Sequence, residues 1–170
     1  MMVSNVCMRR SIAAVVGLTI GLLPGAARAA NPQLGGEMKH IFITLFAPNQ
    51  TLYHLIQDGA DERVMLYDYG ETYAGDAAVL NGTHYAARYG WLPDGNWNIP
   101  AGRGIFIVPL SQSPGLRVYG QDDFAPIFGT DGSDPVWAWD TTMVHNWYAV
   151  DQCGWYQATY EVYVGFPDGM

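Results

Sequence analysis

Between positions 39 and 46 apolar and polar side chains alternate, with Ile41, Ile43 and Leu45 on one face and His40, Phe42 and Thr44 on the other. A period of two is the pattern of a half-buried strand. Ala47-Pro48-Asn49-Gln50 then turns the chain into a second strand at 51–57, so the two form an antiparallel hairpin. Asp58-Gly59-Ala60-Asp61 ends it, and 63–67 reads as a third strand. The strongest hairpin signal is Asn81-Gly82 between 77–80 and 83–87, because both residues tolerate the positive φ of a type I′ turn. Ile105, Phe106, Ile107 and Val108 form an unbroken apolar run within 104–110, as expected of a strand covered on both faces, and Pro109 marks a sheet margin. Strands follow at 116–119, 136–139, 143–150 and 156–164. In the last, Gln157, Thr159 and Glu161 alternate against Ala158, Tyr160 and Val162. No segment carries apolar residues at helical spacing behind a cap. About eight to ten short strands separated by turns predict an all-β fold, a two-sheet antiparallel β-sandwich with no internal repeat and no second domain.

The first 29 residues read as a signal peptide. A basic stretch ending at Arg9-Arg10 precedes an apolar run broken by Pro24, and Ala27-Arg28-Ala29 offers small residues where a signal peptidase cuts. The apolar run is too short for a membrane anchor. The domain is therefore expected to span 30–170, with no membrane span after cleavage and a periplasmic or secreted location. Removing the leader removes Cys7 and leaves Cys153 as a lone cysteine: a buried inert thiol, a link to another chain or a metal ligand.

Charge narrows the function. All 16 acidic residues lie after position 30, against five basic ones, a net charge of −11 for the mature chain. No basic stripe remains to neutralise phosphates, so nucleic acid is not a partner. The chain has no Gly-x-Ser-x-Gly, no His-Glu-x-x-His, no phosphate-cradling glycine loop and no dinucleotide fingerprint, which points to a non-enzymatic role and leaves only paired carboxylates for glycoside hydrolysis open. Trp91, Trp97, Trp137, Trp139, Trp147 and Trp155 could stack on sugar rings, with Trp137 and Trp139 sharing a strand face.

His40, His54, His84 and His145 all fall on predicted strands. Register decides whether the first two meet. If Leu45 pairs with Thr51, Phe42 faces His54 and His40 lies diagonally beside it, close enough for two imidazoles to share an ion. A slip of one residue places them on opposite faces. A type 1 copper centre is disfavoured, since Cys153 is followed by no histidine. Calcium is a weaker possibility at Asp58, Asp61 and Glu62, or at Asp131 and Asp134 near Asp122 and Asp123, where the ligand spacing of an EF-hand is missing.

Three stretches are informative together: His40-Ile41-Phe42-Ile43 with Leu52-Tyr53-His54-Leu55, then 108–116, then Val144-His145-Asn146-Trp147 with Gly154-Trp155-Tyr156. They resemble a group of exported β-sandwich domains that includes actinobacterial surface-anchored ("choice-of-anchor") repeat domains found beside metal-transport systems and zinc-regulated exported proteins of cyanobacteria. The resemblance implies metal binding at His40, His54 and His145, with a metal-transport or cell-surface component as partner. It departs at Ile56, where the family often has a second histidine, and in the lack of a C-terminal anchor. The expectation is a soluble, exported, non-enzymatic protein that binds a divalent transition metal, zinc foremost, through these three histidines, with His84 or water in the fourth position. The alternatives are a carbohydrate-binding or cell-surface adhesion module using exposed tryptophans, and a purely structural envelope protein.

Overall fold

The computed structural model describes residues 2–4, 31–46, 51–56, 63–95 and 97–166, the first three as backbone only. Twelve strands are present among them: β1 (Met2–Ser4), β2 (Lys39–Phe46), β3 (Thr51–Ile56), β4 (His84–Ala86), β5 (Tyr89–Asp94), β6 (Gly104–Gln112), β7 (Arg117–Tyr119), β8 (Pro126–Ile127), β9 (Trp137–Trp139), β10 (Val144–His145), β11 (Trp147–Val150) and β12 (Trp155–Gly165). Two short 3-10 segments, Gly75–Leu80 and Thr130–Gly132, complete the regular structure. The fold is nearly all β, as expected. Among the described residues the strands form three four-stranded hydrogen-bonded sheets, where two were expected, in the orders β1-β12-β6-β9, β10-β5-β2-β3 and β4-β11-β7-β8. The pairings are antiparallel apart from β2 with β5, which run parallel.

The alternation at 39–46 is borne out, for Ile41, Ile43 and Leu45 are buried. The run at 104–110 is also covered on both faces, since consecutive Ile105, Phe106 and Ile107 are all buried. Pro109 pairs with Tyr160 beside the register shift between Thr159 and Tyr160 and lies beyond the reach of β9.

Four expectations are corrected. Residues 75–80 coil into a 3-10 segment instead of a strand, and Asn81-Gly82 is not a type I′ turn. Asn81 has φ −63° and ψ 130° and Gly82 has φ +70°, the geometry of a type II turn, which is closed by Thr83 N–H donating to Leu80 O at 3.2 Å. The Asn81 amide is committed elsewhere: its Oδ1 accepts from Tyr73 N–H at 2.7 Å and its Nδ2 donates to Tyr73 O at 3.0 Å. Residues 63–67 bury Val64 and Leu66 without forming a strand, and only Tyr67 bridges, to Tyr85. The expected strand at 143–150 breaks at Asn146 into β10 and β11, which belong to different sheets. Finally β5, which the sequence reading passes over, is the inner strand between β10 and β2.

One core serves all three sheets. It takes Ile41, Ile43 and Trp91 from the second, Ile105, Ile107 and Ala158 from the first, and Val118, Tyr148 and Val150 from the third. Ile107 has no solvent exposure whereas Leu110, on the same strand, is 64 % exposed. Ile107→Ala is expected to lower the unfolding free energy by about 2–5 kcal/mol, and Leu110→Ala by no more than about 0.5 kcal/mol. Urea unfolding midpoints of the two variants check this contrast.

Candidate metal centre

Three residues lie in one row across the second sheet. His145 on β10 pairs with Gly90 on β5, and Gly90 pairs with His40 on β2. Directly paired residues project to the same face of a sheet, so the two histidines flank a position that has no side chain. The His145 ring uses that vacant place: its Cε1, Nε2 and Nδ1 lie 2.5, 2.6 and 3.0 Å from where a Cβ on Gly90 would be. The nitrogen-bearing edge of His145 thus reaches over β5 toward β2, and the centroids of the His145 and His40 rings are 5.3 Å apart, with the planes at 72°.

His145 is 9 % exposed, and both its ring nitrogens are buried with no hydrogen bond of ordinary geometry among the described residues. Burial, then the neighbouring His40 and Arg88, holds its pKa below the usual imidazole value, against a small opposing pull from the Ala87 carbonyl. The ring is therefore mainly neutral near pH 7, with a nitrogen lone pair able to bind a metal. Its backbone is fixed independently of the ring. His145 N–H donates to Gln121 Oε1 at 2.6 Å, while Gln121 O accepts from Trp147 Nε1 at 2.9 Å. Gln121 thus spans the break at Asn146 and sets where His145 stands. Outside the ring lies a cleft of about 660 Å³ whose walls include Met38, Gln121, Asp122 and Met143.

His54 does not join this pair. The hairpin register sets Leu45 against Leu52 and Ile43 against His54, one residue away from the pairing that would bring His40 and His54 together. The physical reason is burial: this register places Leu52 and Ile56 on the core side beside Ile41 and Ile43, and His54 goes with them. His54 lines an apolar pocket of about 260 Å³ with Ile41, Leu52, Trp91 and Tyr160, on the face opposite His40. His84 lies in the third sheet opposite Val150, with Nε2 3.5 Å from Cys153 Sγ. Cys153 is held in a disulfide in the full chain, which retains Cys7; the lone thiol expected from sequence is that of a chain without residues 1–29. Among the described residues no three His, Cys, Asp or Glu side chains are placed to hold one metal ion.

Of the calcium candidates, Asp58, Asp61 and Glu62 lie outside the described residues. Asp123 and Asp134 close their own turns, accepting from Ala125 N–H at 3.0 Å and Val136 N–H at 2.8 Å. Asp131 Oδ2 accepts from Tyr119 Oη at 3.3 Å. Most of the tryptophans pack into the interior: Trp91, Trp139 and Trp147 are buried, and Trp137 meets Phe128 edge to face. Trp155 is exposed, with the Arg63 guanidinium 5.8 Å above its ring. The residues that sequence reasoning missed are Gly90, Gln121 and Arg88. The signal for Gly90 was a glycine inside the apolar sequence Tyr89-Gly90-Trp91, which marks a close approach on an otherwise packed strand.

Gly90→Ala places a methyl group inside the His145 ring, and we expect it to lower stability by about 1–3 kcal/mol. His145→Ala in the same chain should relieve most of that loss, and chemical unfolding of the two single variants and the double variant checks the coupling. The lowered pKa of His145 sets a sign for pH dependence. Below about pH 6.5 the unfolded chain takes up a proton that the folded chain resists, so stability falls as pH drops from about 7 to 5, and His145 contributes no slope above about 7.5. Urea titrations of wild type and His145→Gln across this range should show the variant with the shallower fall. No protein-family model, curated protein or solved structure matches this chain.

Proposed function

We propose that this chain is an exported, non-enzymatic protein that binds one transition-metal ion between His40 and His145. The observation that carries the reading is a buried His145 ring whose nitrogens lie over Gly90, with the His40 ring beside it at 5.3 Å between centroids. Two imidazoles bound to one ion at about 2.0–2.1 Å hold their ring centroids about 5 to 6 Å apart, and the observed 5.3 Å falls within that range. Small rotations about the ring bonds would aim both nitrogens at a common point. Zinc, the ion expected from sequence, would keep these two protein ligands and complete its tetrahedron from the cleft with water or a further group. His54 is not part of the set.

The same reading takes residues 1–29 as a leader removed on export and the sheets as a sandwich closed around their shared core. The acidic surface raises the local concentration of any cation without choosing among them. Metal-transport or cell-surface components remain the partners this role implies.

Metal analysis by mass spectrometry of the untagged protein, followed by competitive zinc titration, tests the assignment. Wild type should bind about one equivalent with a dissociation constant below about 10 μM. His40→Ala and His145→Ala should each weaken binding at least about tenfold, while His54→Ala binds as wild type does. Equal losses in all three variants, or wild type without affinity for any transition metal, would overturn it.

A further inference from the structure

We infer that a second site, in a cleft to which all three sheets contribute, binds a small organic cation that also carries hydroxyl groups, an amino sugar with a free amine. The cleft has a volume of about 350 Å³, and no histidine lines it among the described residues. Its walls are the turn between β7 and β8, β9 with the loop that follows it, and β10 up to the break at Asn146. Asp122, Asp123 and Asp140 stand exposed around it, and no lysine or arginine accompanies them there. Local bonds orient each carboxylate. Asp122 Oδ1 accepts from Gln121 Nε2 at 3.2 Å and Asp123 Oδ1 from Ala125 N–H at 3.0 Å. Asp140 Oδ1 accepts from Thr142 N–H at 3.0 Å and from the Thr142 hydroxyl at 2.6 Å. None of these bonds uses Oδ2, and none of the three aspartates is in an ion pair among the described residues.

An acidic rim attracts any cation, and Asn146 narrows the choice. It lines the same cleft with no solvent exposure, and neither its Oδ1 nor its Nδ2 has a hydrogen bond among the described residues. A buried amide left in this state is costly. Its two ends call for a donor and an acceptor together, which a hydroxyl supplies and an ammonium, a donor only, does not. A bare metal ion fits less well, because no three His, Cys, Asp or Glu side chains among the described residues are placed to hold one. Carboxylates that share a cleft without converging on a point suit a ligand whose charge and hydroxyls are spread over one frame. Half-buried Trp137 adds an aromatic wall, against which a cation or the C–H groups of a sugar ring can pack. Ligand pockets span about 300–1,000 Å³, and this one, at the low end, has room for a single ring. The bonds from Thr142 hold the Asp140 carboxyl below its usual pKa, so its charge persists into mildly acidic solution.

The test is calorimetric titration of the untagged protein in the presence of EDTA, with glucosamine, glucose, N-acetylglucosamine and putrescine as separate probes. Working without metal separates this site from the histidine pair, whose assignment stands or falls by its own titration. Glucosamine should bind at one site with a dissociation constant below about 1 mM. Glucose and N-acetylglucosamine keep the hydroxyls without the charge, and putrescine keeps charge without hydroxyls, so each should bind at least about tenfold more weakly. The double variant Asp122→Asn/Asp140→Asn alters only the exposed rim and keeps an amide oxygen for the local bonds; with folding confirmed by its melting temperature, it should bind glucosamine at least about tenfold more weakly. In an NMR titration of wild type, the side-chain amide resonances of Asn146 should shift as glucosamine is added, a readout that needs no variant. No binding of glucosamine at about 10 mM, equal binding of all the probes, unchanged affinity in the aspartate variant or unmoved Asn146 resonances would each overturn the assignment.

Discussion

Three sheets whose strands are as short as two residues cannot each enclose a core, and aromatic side chains that cross between sheets hold this fold together. Trp91 of the second sheet meets Tyr160 of the first edge to face at 5.6 Å, and Tyr160 meets Phe128, next to β8 of the third, at 4.8 Å. Tyr89 of the second sheet meets Tyr148 of the third at 5.8 Å. Contacts of this kind add about 0.5–1.5 kcal/mol each beyond the area they bury. Burial raises the pKa of both Tyr148 and Tyr160, so these hydroxyls stay protonated and the cluster remains uncharged over ordinary pH.

The histidine pair depends on this arrangement. Tyr89 and Trp91 are both buried, so β5 is anchored by two large rings on its inner face, and the residue between them projects outward. That residue is Gly90. A strand fixed on both sides of a missing side chain offers a rigid floor, over which imidazoles from the two neighbouring strands can meet. The parallel pairing of β2 with β5 and the antiparallel pairing of β5 with β10 bring residues 105 positions apart in sequence to the same level. Gln121 then fixes β10 through its backbone, leaving the ring of His145 to other partners.

What could be read from the sequence follows the physics of each signal. The period-two runs at 39–46 and 156–164 and the continuous run at 104–110 report burial, and burial alone is enough to place β2, β6 and β12. His40 and His145 were singled out, and they do meet. Their connection was not legible, because β5 contains Gly90 and Pro93, residues that weaken any strand signal, and because parallel pairing leaves no hairpin turn in the sequence. The error over His54 is of a different kind. Both registers of the hairpin satisfy β2, and the choice between them lies in whether Leu52 and Ile56 or Tyr53 and Leu55 face the core. Asn81-Gly82 was misread because the side chain of Asn81 is taken by the backbone of Tyr73, a long-range demand that a dipeptide does not show.

A core histidine with a purely structural task ordinarily gives its ring nitrogens to hydrogen bonds. His145 is different. The hydrogen bond that locates it comes from its backbone N–H, and neither nitrogen of its buried ring has a hydrogen bond of ordinary geometry among the described residues. Leaving one buried polar group unsatisfied costs about 1–3 kcal/mol, and the glycine beneath the ring carries its own penalty in a strand. Replacing the imidazole by a phenyl ring would remove the unsatisfied nitrogens but still require the glycine. A small apolar residue at position 145, combined with Gly90→Ala, would avoid both penalties and pack the face at lower cost. The sequence instead keeps an imidazole, a vacancy for it to occupy and a second imidazole across that vacancy. That combination has a physical rationale when the nitrogens of His145 meet an ion, because coordination then satisfies nitrogens that the described residues leave without a hydrogen bond of ordinary geometry.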